Sequence, residues 1–362
     1  MRLCISLAAH RCAALTSPII AVVATVLTVS TAVAGATLPA PKEAAVCDAP
    51  DDIFLNPFNA RSAHHRPIGS DAVYAGTNDA TTQSWLRARG SWRINSDNGW
   101  GRNVFQVTYD DPRTMVSWNR DFSGKGLPKE LRVTPGASNG RVNDSVIIVV
   151  QPTGIADEFY RWWPNEAGPT ASIRRRWQAH NLGHGSWAWD VVGVSAGGQA
   201  GLFGLLRGFE VNTPGHRIEH VLTSAIPPAL LSAAGTFQWP ATGADGCSQK
   251  QRSCTSGTIP YGALFALPPV EKGGPDLTTL GLSEAGLRLA ATLRDYGTYI
   301  QDKGGNLTIP ADQYVSSGLI PTLNRDLNTV QPYLRMVTNN AQDQDVSGGG
   351  SPRGPNCAYD AR

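Results

Sequence analysis

The sequence carries almost no surplus of charge. Its 362 residues hold 31 Lys plus Arg against 29 Asp plus Glu. A nucleic-acid-binding chain normally shows a basic excess, and the one basic run, Arg174-Arg175-Arg176, reads as a solvated face. No Gly-rich phosphate loop is present and no Cys/His set has zinc spacing. The adjacent His64-His65 would point opposite ways on a strand, and Gly183 and Gly185 argue against a helix that would align His180 with His184. Neither a metal nor any other cofactor is therefore expected. Internal repeats, heptads and a mid-chain linker are also missing. Beyond residue 34 no apolar run approaches the roughly 20 residues that a bilayer demands.

Acidic residues are absent before Glu43, and here the missing charge is informative. Met1-Arg2 and Arg11 precede an apolar run from Pro18 to Ala34, which closes on Ala32-Val33-Ala34. A positive start, an apolar middle and a small-residue exit make residues 1–34 a secretory signal peptide. An uncleaved anchor is the competing reading, but Thr25, Thr28, Ser30 and Thr31 dilute the run and no basic stop-transfer cluster follows. Cleavage removes Arg2 and Arg11 and leaves 29 basic against 29 acidic residues. The expected location is extracellular or periplasmic, with no membrane contact after cleavage. Residues 35–46 read as an Ala/Pro-rich flexible leader, 47–340 as a single globular domain, and 341–362 as a Gly/Pro-rich tail.

Six cysteines are present, of which Cys4 and Cys12 leave with the signal. Cys47, Cys247, Cys254 and Cys357 remain, and an even count in an exported chain favours disulfides. Of the three connectivities, Cys247–Cys254 with Cys47–Cys357 is preferred. The first closes a short loop, and the second ties chain ends that otherwise fray. Cys47 also follows Ala45-Val46 as a lipoprotein cysteine would, but without the usual Leu.

The sequence is rich in Gly (38) and Pro (25), with short apolar runs between them. Strands are expected at Val104 to Tyr109, Ser145 to Gln151, Asp157 to Trp163, Leu202 to Val211, Arg217 to Ile226 and Pro260 to Leu267. One helix is clear after the N-cap Ser283, with Leu289, Leu293 and Tyr296 on one face and Gly297 as its stop. Pro321 to Leu327 suits a second, shorter helix. The expected class is mostly β, a sandwich or jelly roll with one or two short helices.

Gly193-Val194-Ser195-Ala196-Gly197 fits the nucleophile elbow of a serine hydrolase, with Trp187 to Val192 as its strand. The order Ser, acid, His then leaves only Glu210 or Glu219 to orient His220, so an esterase at Ser195 is the lesser reading. Strand parity points elsewhere. Gly204, Gly208 and Glu210 share one face of the expected strand at 202–211, and His220 falls on a face of the next. Glycines on a strand face leave room for a ligand, and a carboxylate beside an imidazole is an acid/base pair. Glu210 and His220, with Asp302, are the candidate catalytic set. A buried, purely structural Glu–His pair is the competing reading. Trp239, Asp245, Tyr299 and Gln301 are candidates for substrate binding, because sugars are bound on aromatic rings with carboxylates and amides around them.

Ala196-Gly197-Gly198-Gln199-Ala200-Gly201-Leu202, Arg207-Gly208-Phe209-Glu210, Ile218-Glu219-His220-Val221-Leu222, Trp239-Pro240-Ala241, Ile259-Pro260-Tyr261-Gly262-Ala263 and Asp295-Tyr296-Gly297 through Asp302 occur in that order. Over roughly residues 140–310 this resembles a group of secreted, largely uncharacterised bacterial proteins, and the resemblance implies a β-sandwich-like fold. Gly297-Thr298-Tyr299-Ile300-Gln301 is also similar to the end of the signature strand of jelly-roll alginate lyases, although Leu293 and Asp295 stand where that strand has Tyr and Lys. Together these readings lead to a secreted carbohydrate-active enzyme, a glycoside hydrolase or polysaccharide lyase, whose partner is an extracellular polysaccharide or oligosaccharide. The alternative is a non-catalytic carbohydrate-binding or cell-surface protein.

Overall fold

The computed structural model describes residues 47–48, 52, 54–96, 100–121, 130–138, 146–165, 168–178, 193–232, 236–244 and 257–358. All of them belong to the unit Ala36–Arg362. The signal and leader segments, the His180/His184 pair, the 187–192 strand, Asp245 and the Cys247–Cys254 pairing lie outside the described residues.

Strand exceeds helix, 26% against 22%. The first sheet runs in the order β1 (Arg93–Asn95), β12 (Thr308–Pro310), β9 (Leu222–Ile226), β11 (Thr298–Lys303), β10 (Leu264–Ala266) and β13 (Arg335–Met336). The second has the order β2 (Arg102–Gln106), β6 (Val146–Val150), β7 (Ile155–Tyr160), β8 (Thr170–Gln178) and β4 (Ser117–Asp121). A two-stranded ribbon pairs β3 (Arg113–Met115) with β5 (Glu130–Arg132). The helices are α1 (Ala80–Arg87), α2 (Pro135–Ser138), α3 (Gly208–Asn212), α4 (Glu284–Asp295) and α5 (Ile320–Val330).

The β6 run explains the layering. Its five β-branched residues are all buried, and side chains alternate across a strand. Val146, Ile148 and Val150 enter one core cluster, Ile147 and Val149 another. The first of these clusters is shared between the sheets, because it also holds Leu264, Ala266 and Tyr299 of the first sheet. Beyond β6, Ile147 and Val149 meet Leu131 of the ribbon and Ala137 of α2. On the far side of the first sheet, Phe265, Ile300 and Ile309 pack against Leu289 and Leu293 of α4 and Leu323 and Leu327 of α5. Each such buried aliphatic or aromatic side chain contributes about 1.5–3 kcal/mol of transfer free energy.

Several expectations are corrected. Five α-helices occur among the described residues instead of one or two, and α4 and α5 run for 12 and 11 residues. Both larger sheets are mixed and open, with parallel pairs β1/β12, β9/β11, β2/β6 and β4/β8. Helix α1 was hidden by a Thr-rich sequence of weak helix propensity; it starts where the Asp79 carboxylate accepts from Thr81 N at 2.8 Å. The expected strand at 202–211 is instead a series of turns followed by α3. Gly204 has φ +61, outside the strand region, and a Cβ there would stand 2.5 Å from Thr223 Cγ2. A Cβ on Gly208 would lie 2.5 Å from the Tyr314 carbonyl carbon. These glycines admit close backbone neighbours and do not open a face for a ligand.

The helix expected after Ser283 is present, but Tyr296 lies beyond its end and packs in the core shared by the sheets, apart from Leu289 and Leu293. Ser283 Oγ accepts from Gly286 N at 3.0 Å, and Gly297 beyond the helix adopts φ +80. At the chain ends, Cys47 and Cys357 form a disulfide with Cα atoms 5.5 Å apart. The C-terminal segment also bridges Ile68 through Ser347 and Gly69 through Pro352. Among the described residues, no helix is long and apolar enough to cross a membrane.

Candidate functional site

Glu210 sits at the third position of α3, and His220 lies at a bend two residues before β9. The pair is not carried by two adjacent strands, as expected, yet the side chains meet: His220 Nε2 is 2.8 Å from Glu210 Oε1. His220 Nδ1 lies 2.6 Å from Val221 O. A carbonyl can only accept, so Nδ1 carries a proton, and Nε2 faces a carboxylate. The favoured state is imidazolium against ionised Glu210. Burial pushes the His220 pKa down, but the Glu210 charge and hydrogen bond outweigh it and raise it above the ordinary histidine value. Burial likewise pushes Glu210 up, and the His220 charge, with hydrogen bonds from His220 and Arg207, holds it below the usual carboxylate range.

The surroundings are closed. Glu210 and His220 are 5% and 6% exposed. Glu210 Oε2 accepts from Arg207 N at 2.9 Å, capping α3. The His64 ring lies flat on His220 at 4.3 Å and on Phe58 at 4.3 Å. His64 Nδ1 accepts from Gly204 N at 3.0 Å, and burial first, then the neighbouring His220 charge, hold its pKa well below the usual value. Arg207 Nε donates to Asp312 Oδ2 at 2.9 Å.

Asp302 is not in this place. In the parallel pair β9/β11, Leu222 stands opposite Thr298 and Ala225 opposite Asp302. Glu210 and His220 lie at the N-terminal end of β9 and Asp302 at its C-terminal end, roughly 16 Å further on at the rise of a parallel strand. Asp302 and the Glu210–His220 pair thus lie toward opposite ends of β9. Asp302 keeps 34% of its side chain exposed, and its Oδ2 is 4.0 Å from Arg102 Nη2. Arg102 is buried and donates from Nη1 to Gly201 O at 2.6 Å and from Nη2 to Ser195 Oγ at 3.2 Å. Burial pushes the Arg102 pKa down, against the pull of Asp302 and Glu158. The fully buried Glu158 carboxylate accepts from Gly201 N, and from Val194 N at 3.1 Å. A partly exposed carboxylate thus stands beside a buried guanidinium, at the carboxyl end of the parallel β9/β11 pair.

The other candidates are packed. Tyr299 is 1% exposed, and its hydroxyl accepts from Asn340 Nδ2 at 3.2 Å. Trp239 meets Tyr299 edge-on at 6.2 Å, and the Arg66 guanidinium covers its face at 4.3 Å. Gln301 is 1% exposed and donates from Nε2 to Ala200 O at 3.0 Å. Tyr299 and Gln301 are core residues, and no open aromatic platform forms with Trp239. Ser195 is followed by turns and bends, and no helix occurs among residues 196–207, so the helix that an elbow requires is missing there.

Sequence reasoning missed Arg102 and Glu158, and weighed His64 only as a metal ligand. Glu158 had a signal, since two adjacent carboxylates, Asp157 and Glu158, interrupt an apolar strand. Both are buried; Asp157 receives the Arg174 guanidinium at 2.6 Å from Nη2. Arg102 had none. Among the described residues, Cys47, Glu219 and Cys357 approach one another at metal-like spacing, but both sulfurs are engaged in the disulfide. No family model, curated protein or solved structure matches this chain.

Proposed function

We propose that the protein is a secreted carbohydrate-active enzyme that cleaves an extracellular polysaccharide by acid/base chemistry, with Asp302 as the reacting carboxylate. The observation that carries this reading is the Asp302 carboxylate, about a third exposed and 4.0 Å from the buried Arg102 guanidinium. Of the three acid/base candidates, Asp302 alone retains substantial solvent access. General acid or base catalysis needs a group that reaches the substrate proton directly or through one water. Either hydrolysis or lytic elimination can use a carboxylate in that role. Export is supported by the signal-like first 34 residues and by the Cys47–Cys357 bond, because disulfides persist in oxidising compartments. A sandwich-like relation of the two sheets is part of the proposal and is supported by the core they share.

The second reading, a non-catalytic carbohydrate-binding protein, is favoured by the closed Glu210–His220 pair, whose polar atoms are already bonded within the fold. Incubation of the mature protein with a panel of polysaccharides separates the two. New reducing ends or unsaturated uronate absorbance, abolished in Asp302→Asn, supports the enzyme. Binding without products supports the second reading, and products undiminished in Asp302→Asn remove Asp302 from the chemistry.

A further inference from the structure

A cleft of about 220 Å³ lies between the β3/β5 ribbon and the turn joining β6 to β7. Its lining includes none of the candidate site residues. Tyr109, Arg113, Glu130, Arg132 and Gln151 are among its lining residues. We propose that it is a binding subsite for a carboxylated sugar residue of an anionic polysaccharide. The subsite rests on the reading that the protein meets polysaccharide.

The register of the ribbon builds the site. Arg113 is directly opposite Arg132, and Met115 is opposite Glu130. Alternation puts these four on one face, while Leu131 turns inward and is 4% exposed. Like charges directly opposite one another destabilise a strand pair, and the single Glu130 offsets only one of the two guanidiniums. The cleft therefore keeps a positive surplus that one carboxylate neutralises. Arg113 and Glu130 approach to 3.4 Å, but their side chains are 58% and 53% exposed. Exposed pairs of this kind hold weakly, so Arg113 can exchange Glu130 for a ligand carboxylate. Its planar fork suits bidentate binding of that group.

Arg132 is held in place. Its Nη1 donates to Asp111 O at 2.7 Å, and its guanidinium lies over the Tyr109 ring at 5.8 Å from the centroid. Gln151 Nε2 donates to Arg132 O at 3.0 Å and ties the opposite wall to the ribbon. Tyr109 itself is 68% exposed. A large aromatic side chain left in water beside two arginines supplies a flat apolar surface for the C–H face of a sugar ring, with charge at its edge for the carboxylate. The volume lies below the roughly 300–1,000 Å³ typical of sites for larger ligands and corresponds to one ring, with the rest of the chain passing over the open mouth.

The test is calorimetric titration of the full mature protein with a galacturonate oligomer and with a neutral galactose oligomer of equal length. Arg113→Ala and Tyr109→Ala are the variants. Both side chains are exposed, and unchanged melting temperatures verify the fold. The uronate oligomer should bind, should weaken as salt rises, and should bind about tenfold or more weakly in Arg113→Ala, where the bidentate contact is lost. The neutral oligomer should bind much more weakly. Equal affinity for the two oligomers, or wild-type affinity in both variants, overturns the subsite. Asp302→Asn separates the two readings. Uronate binding that survives in it while no polysaccharide is cleaved by the wild type sinks only the enzymatic reading. Cleavage that depends on Asp302, with uronate affinity untouched in Arg113→Ala and Tyr109→Ala, sinks only the subsite.

Discussion

His220 and Glu210 form a bonded pair at 2.8 Å that water barely reaches. The pair fastens α3 to the start of β9. It also holds the segment before residue 66, because His64 stacks on His220 and His64 O accepts from Val221 N at 2.8 Å. Three stretches of chain distant in sequence converge on one imidazolium.

Removing one partner should therefore unfold more than it inactivates. Glu210→Ala leaves a buried imidazolium without its counter-charge and Arg207 N without its cap. Breaking a buried pair in this way costs about 3–5 kcal/mol. Urea unfolding of the variant should show a correspondingly lower midpoint; a midpoint equal to the wild type would mean that the pair adds nothing to the fold.

The pH dependence follows from three groups. His220 is raised above its ordinary 6.5, so its stabilisation is complete below pH 6.5 and is lost as pH rises through the folded value. Glu210 is depressed below 4.5, so its contribution is present above pH 4.5 and is lost as pH falls through the folded value. His64 is held well below 6.5, so stability drains as pH falls below 6.5 and the unfolded chain takes up that proton. The two histidines act in different windows: the wild type gains stability through His220 as pH falls toward 6.5, and loses it through His64 as pH falls further. In Glu210→Gln the charge that raises His220 is gone, and both histidines then resist protonation. The stability gap between variant and wild type should widen from about pH 8 to about pH 5. Unfolding midpoints across that range decide it, and a constant gap would refute the assignment.

The terminal disulfide gives a third prediction. Cys357→Ser should cost about 2–5 kcal/mol, the general range for a native disulfide. Non-reducing peptide mapping should recover the peptides of Cys47 and Cys357 as one linked species. Recovery of free Cys357 would contradict the pairing.

Gly204→Ala tests the close approach of the 200–206 turns to β9. The residue has φ +61, and the new methyl would meet Thr223 at 2.5 Å. Both strain and overpacking act against it, for a loss of about 1–3 kcal/mol. Ala tolerated at no cost in thermal unfolding would show that this turn relaxes freely.

Legibility in the sequence varied with how local the cause was. The β6 run and the Ser283-capped helix were readable because apolar period and cap chemistry sit within a few residues of each other. The Cys47–Cys357 pair was readable from the count of cysteines and the position of the ends. The approach of Glu210 to His220 was anticipated from strand parity, yet the parity did not exist. The Gly-rich run that suggested an open strand face is a set of turns in which each missing Cβ makes way for Thr223 or Tyr314. The surroundings of Asp302 were illegible, because Arg102, Glu158 and Ser195 come from separate elements and no spacing links them. Tyr299 and Gln301 read as substrate-binding residues because the sequence pattern does not reveal that Tyr299 enters the core between the sheets and that Gln301 bonds Ala200 O.

Every strand, from β1 to β13, falls between the two bonded cysteines, which are 310 residues apart in sequence and 5.5 Å apart in space. Tension applied to the ends of the chain is then carried across a single covalent link, and the sheets stand outside the load path. An oxidised molecule tethered at either terminus keeps its length under force and its strands unsheared. Once the link is reduced, the same pull reaches the bridges that join the two terminal segments, Ile68 with Ser347 and Gly69 with Pro352, before any strand.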